Sequence, residues 1–475
     1  MPQGQDTYRW RETGDAMPST SSPATSRRRV LRSLAGATAV AAGGATAGCL
    51  DAFRSPLPRS DLAWPGFMGG PQRAGWRAST SGPEDAPGSV DAYPFESTVE
   101  APYLLFPAVA DGVAYAARAV ESDAYAENDV VPPSSGDRLE VLAVDLDRSR
   151  VRWRTRVDVG SGYGVDPPLA VAVTDGAVVA GCLEEVAVLD RDTGDVRWTR
   201  DRVAPMPTVR DGLVLTFGVR DASEPVLTSH DLDTGAVEWT ADRGVLPGNR
   251  TDVRPPVASV DADRVYAASR SKVAAIERGT GERAWLHDLD GYGGVVRQFA
   301  PAVRGDRVYV VQSRPDAGDQ FLEGLRSRVV ALDAETGAVV WSQQIGDGVE
   351  RFATTNPVVG PELVVVAESD PPTRGDAAAD VSSTLWAFDR DTGDERWRTR
   401  APGRLSGRTL ADGSTVYVTG DGDGDASTEE RALYAFDAAG GDLAWRVGTD
   451  GPELAALGAG AVFSTSSDAT LRRLH

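Results

Sequence analysis

Lysine is all but absent from this chain: of 49 basic residues only Lys272 is a lysine, against 70 acidic residues and a formal net charge of −21. So large an acidic excess disfavours nucleic acid and anionic lipid as partners, because binding either calls for a net basic patch. In a globular repeat protein it points to a surface kept soluble in very high salt, and so to an extreme halophile. Cysteine is scarce as well. Cys49 and Cys182 are the only two, which excludes a disulfide framework. The three histidines, His230, His287 and His475, lie far apart without ligand spacing, so no metal site of the Cys/His type is expected. Past the first 48 residues no apolar run approaches the roughly 20 residues of a spanning helix.

What the chain has is a repeat. An Asp, a turn and a Trp recur seven times, as in DRDTGDVRW ending at Trp198, DLDTGAVEW at Trp239, DAETGAVVW at Trp341 and DRDTGDERW at Trp397. Looser copies end at Trp153, Trp285 and Trp445. The Trp-to-Trp intervals are 45, 41, 46, 56, 56 and 48 residues, a supersecondary period. Upstream of each Trp stand alternating apolar runs split by an Asp/Gly turn, such as PAVADGVAYAA (107–117) and PAVRGDRVYVV (301–311). A third run follows, as in RVVALD (328–333). Alternation of Val, Tyr and Leu bounded by Asp, Gly and Pro reads as strands. Each unit is therefore a four-stranded antiparallel blade, A to D, with the Trp on D. The Gly of the TG turn suits a left-handed position, and the Asp can accept turn amides.

One such sheet cannot bury both apolar faces alone, so blades must stack radially. Seven units end at Trp445, and residues 452–474 supply strands A, B and C without D. Residues 92–101 read as an orphan D strand that completes the last sheet, and pairing the chain ends removes both exposed edges. The expectation is an all-β, eight-bladed β-propeller spanning 92–475, with seven blades the alternative. Trp153, Trp198, Trp239, Trp285, Trp341, Trp397 and Trp445 are its docking residues.

The repeats resemble the tryptophan-docking motif AxDxxTGxxxW of the pyrroloquinoline quinone (PQQ)-like propeller family. Ala143, Ala275, Ala331, Ala387 and Ala435 fill its first position, while Val188 and Ser229 depart from it. The stretch WPGFMGGPQRAG (64–75) is similar to the WPxFxG element that precedes propellers of this family. The resemblance covers about residues 64–475. It implies either of two functions: non-enzymatic scaffolding, as in the assembly lipoproteins of the bacterial outer membrane, or dehydrogenation with calcium-bound PQQ in the central funnel. The vicinal Cys–Cys disulfide that many alcohol-oxidising members stack on the quinone is absent here.

The N-terminus carries an address. SRRRVLR (26–32) and the small, mildly apolar run 33–48 have the layout of a twin-arginine export signal. TAGC (46–49) resembles a lipobox with Thr46 at its first position, so Cys49 is expected to be acylated. Met1 and Met17 are both candidate starts. Removing residues 1–48 takes away six Arg and three acids and moves the net charge from −21 to −24. Residues 49–91, rich in Pro, Ser, Gly and Asp, read as a flexible tether between the outer face of the membrane and the propeller.

In a four-stranded blade the B–C and D–A connections share one face of the ring, and the A–B and C–D turns share the other. The long insertions 118–138, 312–327, 369–383 and 420–430 all fall in B–C loops, which marks that face as functional. Its D–A connections hold Arg254, Arg297, Arg351 and Arg404, with Tyr163, Tyr292 and Phe352 nearby. These form a candidate rim for an anionic ligand or an acidic segment of a partner protein, or else pair with local acids such as Asp252, Asp347 and Glu350. The run DGDGDASTEE (421–430) begins like a calcium loop but has Ala426 and Ala432 where Gly and Glu are needed, and reads as a solvated acidic loop. The expectation is an exported, lipid-anchored surface propeller that binds a protein or ligand without catalysis and without cofactor. The alternatives are a PQQ-and-calcium dehydrogenase and an extracellular sugar or peptide sensor.

Overall fold

The computed structural model describes residues 67–70, 72–77, 81–94, 105–120, 138–158, 169–182, 184–203, 206–220, 224–242, 244–246, 258–269, 271–289, 301–314, 326–346, 352–353, 355–369, 382–402, 405–421, 431–449, 453–465 and 470–475. Eight four-stranded antiparallel blades follow one another along the chain. Their inner strands are Ala108–Ala110, Leu169–Val173, Thr208–Arg210, Ser259–Val260, Ala302–Arg304, Val358–Val359, Leu405–Ala411 and Glu453–Gly458. Each inner strand meets the next, and the last meets the first, so the blades close a ring. Blades 2 and 3 also share one bridge, Val203 to Gly218.

The eighth blade closes as the orphan strand predicted. Its A, B and C strands are Glu453–Gly458, Ala461–Thr465 and Thr470–Leu474, and the N-terminal strand Val90–Pro94 pairs antiparallel with the last of them. The closing strand begins two residues earlier than the sequence suggested, because the pairing runs from Val90 opposite Leu474 to Pro94 opposite Thr470.

The seven Trp-bearing outer strands share a device. Each pairs with its C strand through a register shift just before the Trp, so that Arg152, Arg197, Glu238, Ala284, Val340, Arg396 and Ala444 are extra residues. Such a bulge bends the strand and disrupts an otherwise flat free edge.

Each indole N–H then donates to a backbone carbonyl outside its own blade. The acceptors for Trp153 through Trp397 are Arg191, Leu232, Arg278, Ala334, Arg390 and Ala438, each following the C strand of the next blade. Trp445 donates to Glu84, on the segment that leads into the closing strand. The indole face lies on the glycine of the next TG turn. Gly235 has φ 69°, and a Cβ there would stand 2.7 Å from Trp198 Cδ2. The turn Asp acts as expected: Asp231 Oδ1 accepts both the amide and the hydroxyl of Thr234.

Candidate functional site

The channel inside the ring is occupied by the chain itself. Phe67–Gly69 forms a short 3-10 turn that meets the inner strands of blades 2 and 8. From there the backbone crosses the ring and is gripped blade by blade. Val303 N–H donates to the Gln72 carbonyl, Val359 N–H to Ala74, and Ala411 N–H to Gly75, while Arg77 N–H donates back to Ala411. Arg73 reaches the other way, donating to the Ala258 carbonyl and the Thr208 hydroxyl at 2.7 Å each. Among the described residues this segment thus touches seven of the eight blades.

These contacts cluster where the inner strands run into the A–B turns. Trp76 packs on Gly360 in the A–B turn of blade 6, where a Cβ would stand 2.6 Å from the indole. Gly460, in the corresponding turn of blade 8, donates to the Ser81 carbonyl. The segment therefore lies toward the A–B/C–D end of blades 5 to 8 and reaches back to the start of the inner strands of blades 3 and 4 through Arg73. Met68, Arg73 and Trp76 are 1%, 2% and 6% exposed, and Met68 and Arg73 hold left-handed backbone at φ 53° and 51°. Non-glycine residues keep that conformation only where the surroundings over-determine it. Burial pulls the Arg73 guanidinium down to about 9, still above neutral pH, so its charge is kept.

Within the stretch 49–91, Met68, Arg73, Gly75 and Trp76 pack against the inner strands. The Gly- and Pro-rich composition that looked like a linker permits left-handed turns and close backbone approach, as at Gly75, with φ 64° and Met68 Cε 2.9 Å from a would-be Cβ.

Across the channel wall, Arg408 leaves the inner strand of blade 7, donates to Leu454 of blade 8 at 2.9 Å and stacks over the Phe106 ring at 3.7 Å. Neither Arg408 nor Phe106 had a motif to single it out. Of the predicted rim, Phe352 lies in the two-residue strand Phe352–Ala353, paired with Ser369 and Glu368 at the D–A end of blade 6. Arg254, Arg297, Arg351, Arg404, Tyr163 and Tyr292 lie outside the described residues, as do Cys49 and the acidic loop 422–430.

No three His, Cys, Asp or Glu side chains among the described residues converge on a cation site. Cys182, the one described cysteine, is buried in the second strand of blade 2. His230 belongs to a blade interface, its ring 5.7 Å from that of Trp198 and its Nε2 3.1 Å from the Thr216 hydroxyl. Burial, then the charge of Arg200, hold it below the usual imidazole range.

Comparison with known proteins places these features in context. The profile of the family described as "Outer membrane protein assembly factor BamB" matches residues 137–315, 270–380 and 325–472. BamB from Moraxella catarrhalis superposes with a TM-score of 0.51 at 16% identity, covering 82% of this chain and 98% of that one. The quinohemoprotein alcohol dehydrogenase of Comamonas testosteroni gives 0.53 at 15% identity, over 85% of this chain and 76% of that one. In sequence, 138 residues are 30% identical to the quinohemoprotein alcohol dehydrogenase ADH IIB of Pseudomonas putida, covering 27% of this chain and 17% of that enzyme.

Proposed function

The chain belongs to the family described as outer membrane protein assembly factor BamB, and from that premise we propose that it is a binding scaffold without catalysis. The observation that carries this reading is the plug. With Met68, Arg73, Gly75 and Trp76 lying toward the A–B/C–D end of blades 5 to 8, a partner or ligand is assigned the B–C/D–A face, where the long insertions lie. There Arg254, Arg297, Arg351 and Arg404, with Tyr163, Tyr292 and Phe352, supply guanidinium and aromatic groups for an acidic or amphipathic partner. The protein is exported by the twin-arginine route and held at the outer face of the cell membrane by acylated Cys49. Replacing the four rim arginines by Gln should abolish capture of neighbouring surface proteins by crosslinking while the ring stays folded. Retained capture would remove the rim from the account. Cys49→Ser should move the protein from the membrane fraction to the medium.

The likeness to ADH IIB favours a second reading, a PQQ-dependent oxidoreductase. Turnover assays with the quinone decide between the two.

A further inference from the structure

Three arginines of blade 1 converge on one carboxylate. Glu140, fully buried in the third strand of the blade, accepts from Arg118 through Oε2 and from the Arg156 Nε through Oε1 at 3.0 Å. The Arg154 Nε stands 3.8 Å from Oε2. The cross-strand register puts Arg118, Glu140 and Arg156 in one row, and Arg154 lies two residues from Arg156 on the same face of the outer strand Arg150–Asp158. The bulge at Arg152 bounds this group: Arg152, with Arg148, turns to Asp145 instead. Trp153, on the opposite face, reaches blade 2 through the Arg191 carbonyl. The arginine face is therefore the one turned toward blade 8, at the D–A end of the seam that closes the ring.

One negative charge thus meets three positive ones. Arg118, 5% exposed, forms a buried pair with Glu140, and the neighbouring Arg138 is matched by Asp158 at 2.7 Å. Arg154 and Arg156 keep an excess of two positive charges on side chains 48% and 52% exposed. Apart from Glu140, neither has an acceptor among the described residues. At the same two places after the docking Trp, blades 2, 3 and 4 carry Thr199 and Asp201, Thr240 and Asp242, and Leu286 and Asp288. Blade 6 repeats the arginines as Arg398 and Arg400, but Thr384 stands in place of the buried carboxylate and Arg398 lies over the Trp386 ring.

We propose that Arg154 and Arg156, braced by Glu140, bind a doubly charged tetrahedral oxyanion: inorganic phosphate or the phosphate monoester of an organic ligand. Charge selects it over a carboxylate or a phosphodiester, either of which cancels only one of the two excess charges. Geometry agrees, since side chains two residues apart on one strand face start about 7 Å apart, within reach of a single ion for groups as long as arginine. Guanidinium forks also match the oxygens of a phosphate. A polyanion is disfavoured because its other phosphates would meet a chain of net charge −21, whereas in molar salt a single small ion is screened from that field beyond about 3 Å. The site goes beyond the scaffold reading and does not depend on it.

The test titrates the full chain by calorimetry, in molar potassium chloride at about pH 8, where a phosphate monoester carries close to two charges. The titrants are inorganic phosphate, glycerol phosphate, dimethyl phosphate and acetate. The first two should bind saturably and at least about tenfold tighter than the last two. Tighter binding of glycerol phosphate would support an organic monoester as the ligand, and equal or tighter binding of phosphate would support the free ion. Arg154→Gln should weaken phosphate binding by about tenfold, and Arg154→Gln with Arg156→Gln should abolish it at unchanged melting temperature. Arg398→Gln with Arg400→Gln on blade 6 should leave it unaltered. If the first double variant melts early, Arg154→Gln alone carries the comparison, since that guanidinium is about half exposed and lies beyond hydrogen-bond reach of Glu140. No saturable binding to the folded chain, acetate binding as tightly as phosphate, undiminished affinity in Arg154→Gln, or an equal loss in the blade 6 variant would overturn the proposal. Turnover with PQQ would sink the scaffold reading and leave the phosphate titration to stand by itself.

Discussion

The phenol of Tyr93 donates to the carbonyl of Leu146 at 3.2 Å, which makes it the eighth member of a set whose other seven are tryptophans. Leu146 follows the C strand of blade 1, as each Trp acceptor from Arg191 to Ala438 follows the C strand of its own blade. The turn it faces departs from the TG of the best copies at both positions, with Arg148 in place of the Thr. Where the best copies have glycine, blade 1 has Ser149 at φ 46°. A Cβ at that position intrudes on a flat indole, as the 2.7 Å approach at Gly235 shows. The narrower phenol and the serine turn occur together.

Tyr93 therefore holds the seam of the ring. Tyr93→Phe should cost about 1 kcal/mol through loss of one hydrogen bond, and Tyr93→Ala about 3–5 kcal/mol through loss of a buried aromatic. Denaturant unfolding of both variants checks the ordering. Equal stability of the wild type and Tyr93→Ala would remove the residue from the closure mechanism.

At the repeated turns the glycine is required twice over, for its backbone and for the indole above it. Gly235→Ala should cost about 2–4 kcal/mol, from a left-handed alanine plus overpacking against Trp198. Ser149→Gly, at the corresponding turn of blade 1, should change stability by no more than about 1 kcal/mol. Thermal melts of the two variants side by side give the contrast.

The plug predicts a stability effect far from any blade motif. Trp76→Ala should cost about 3–5 kcal/mol. Arg73→Met should cost about 1–3 kcal/mol, because the Ala258 carbonyl and the Thr208 hydroxyl lose their buried donor. Unfolding curves identical to the parent would mean that the segment only rests against the ring.

Acid should loosen the blades through their turns. Hydrogen bonds hold these carboxyls below the usual range: the Arg197 side chain and then the Thr193 amide bring Asp190 down to about 2, and the Thr234 hydroxyl and then its amide lower Asp231. Asp333 and Asp389 are lowered likewise. A carboxyl depressed in the folded state binds fewer protons there than in the unfolded chain. Its stabilisation is complete above an unfolded value of about 4 and is lost as the pH falls toward about 2. Melting temperature should decline across that window, and less steeply in Asp231→Asn. A flat acid limb in the parent would contradict this.

The blades were legible because their signals are local: a TG turn, a Trp four residues beyond the glycine, and apolar runs of period two. The closing strand was legible too, but Tyr93's docking role was not, because that strand carries neither the Trp nor a TG turn. The plug was hidden for a different reason. Gly69, Gly70 and Gly75 in the stretch 67–77 look like linker residues, and only the ring that surrounds them gives Met68 and Trp76 a place to be buried. The two aromatics of the WPxFxG element and the later Trp76 were the available hint. Arg408 over Phe106 joins residues about 300 positions apart, with no spacing to betray them.

The most direct test of the central claim, a plugged propeller that binds without catalysing, is a titration of the full chain in molar salt with PQQ and calcium. It is read by quinone absorbance and by dye-linked oxidation of alcohols and sugars. The account predicts neither saturable binding nor turnover in a folded sample. Saturable binding accompanied by turnover would contradict it and make the channel an active site.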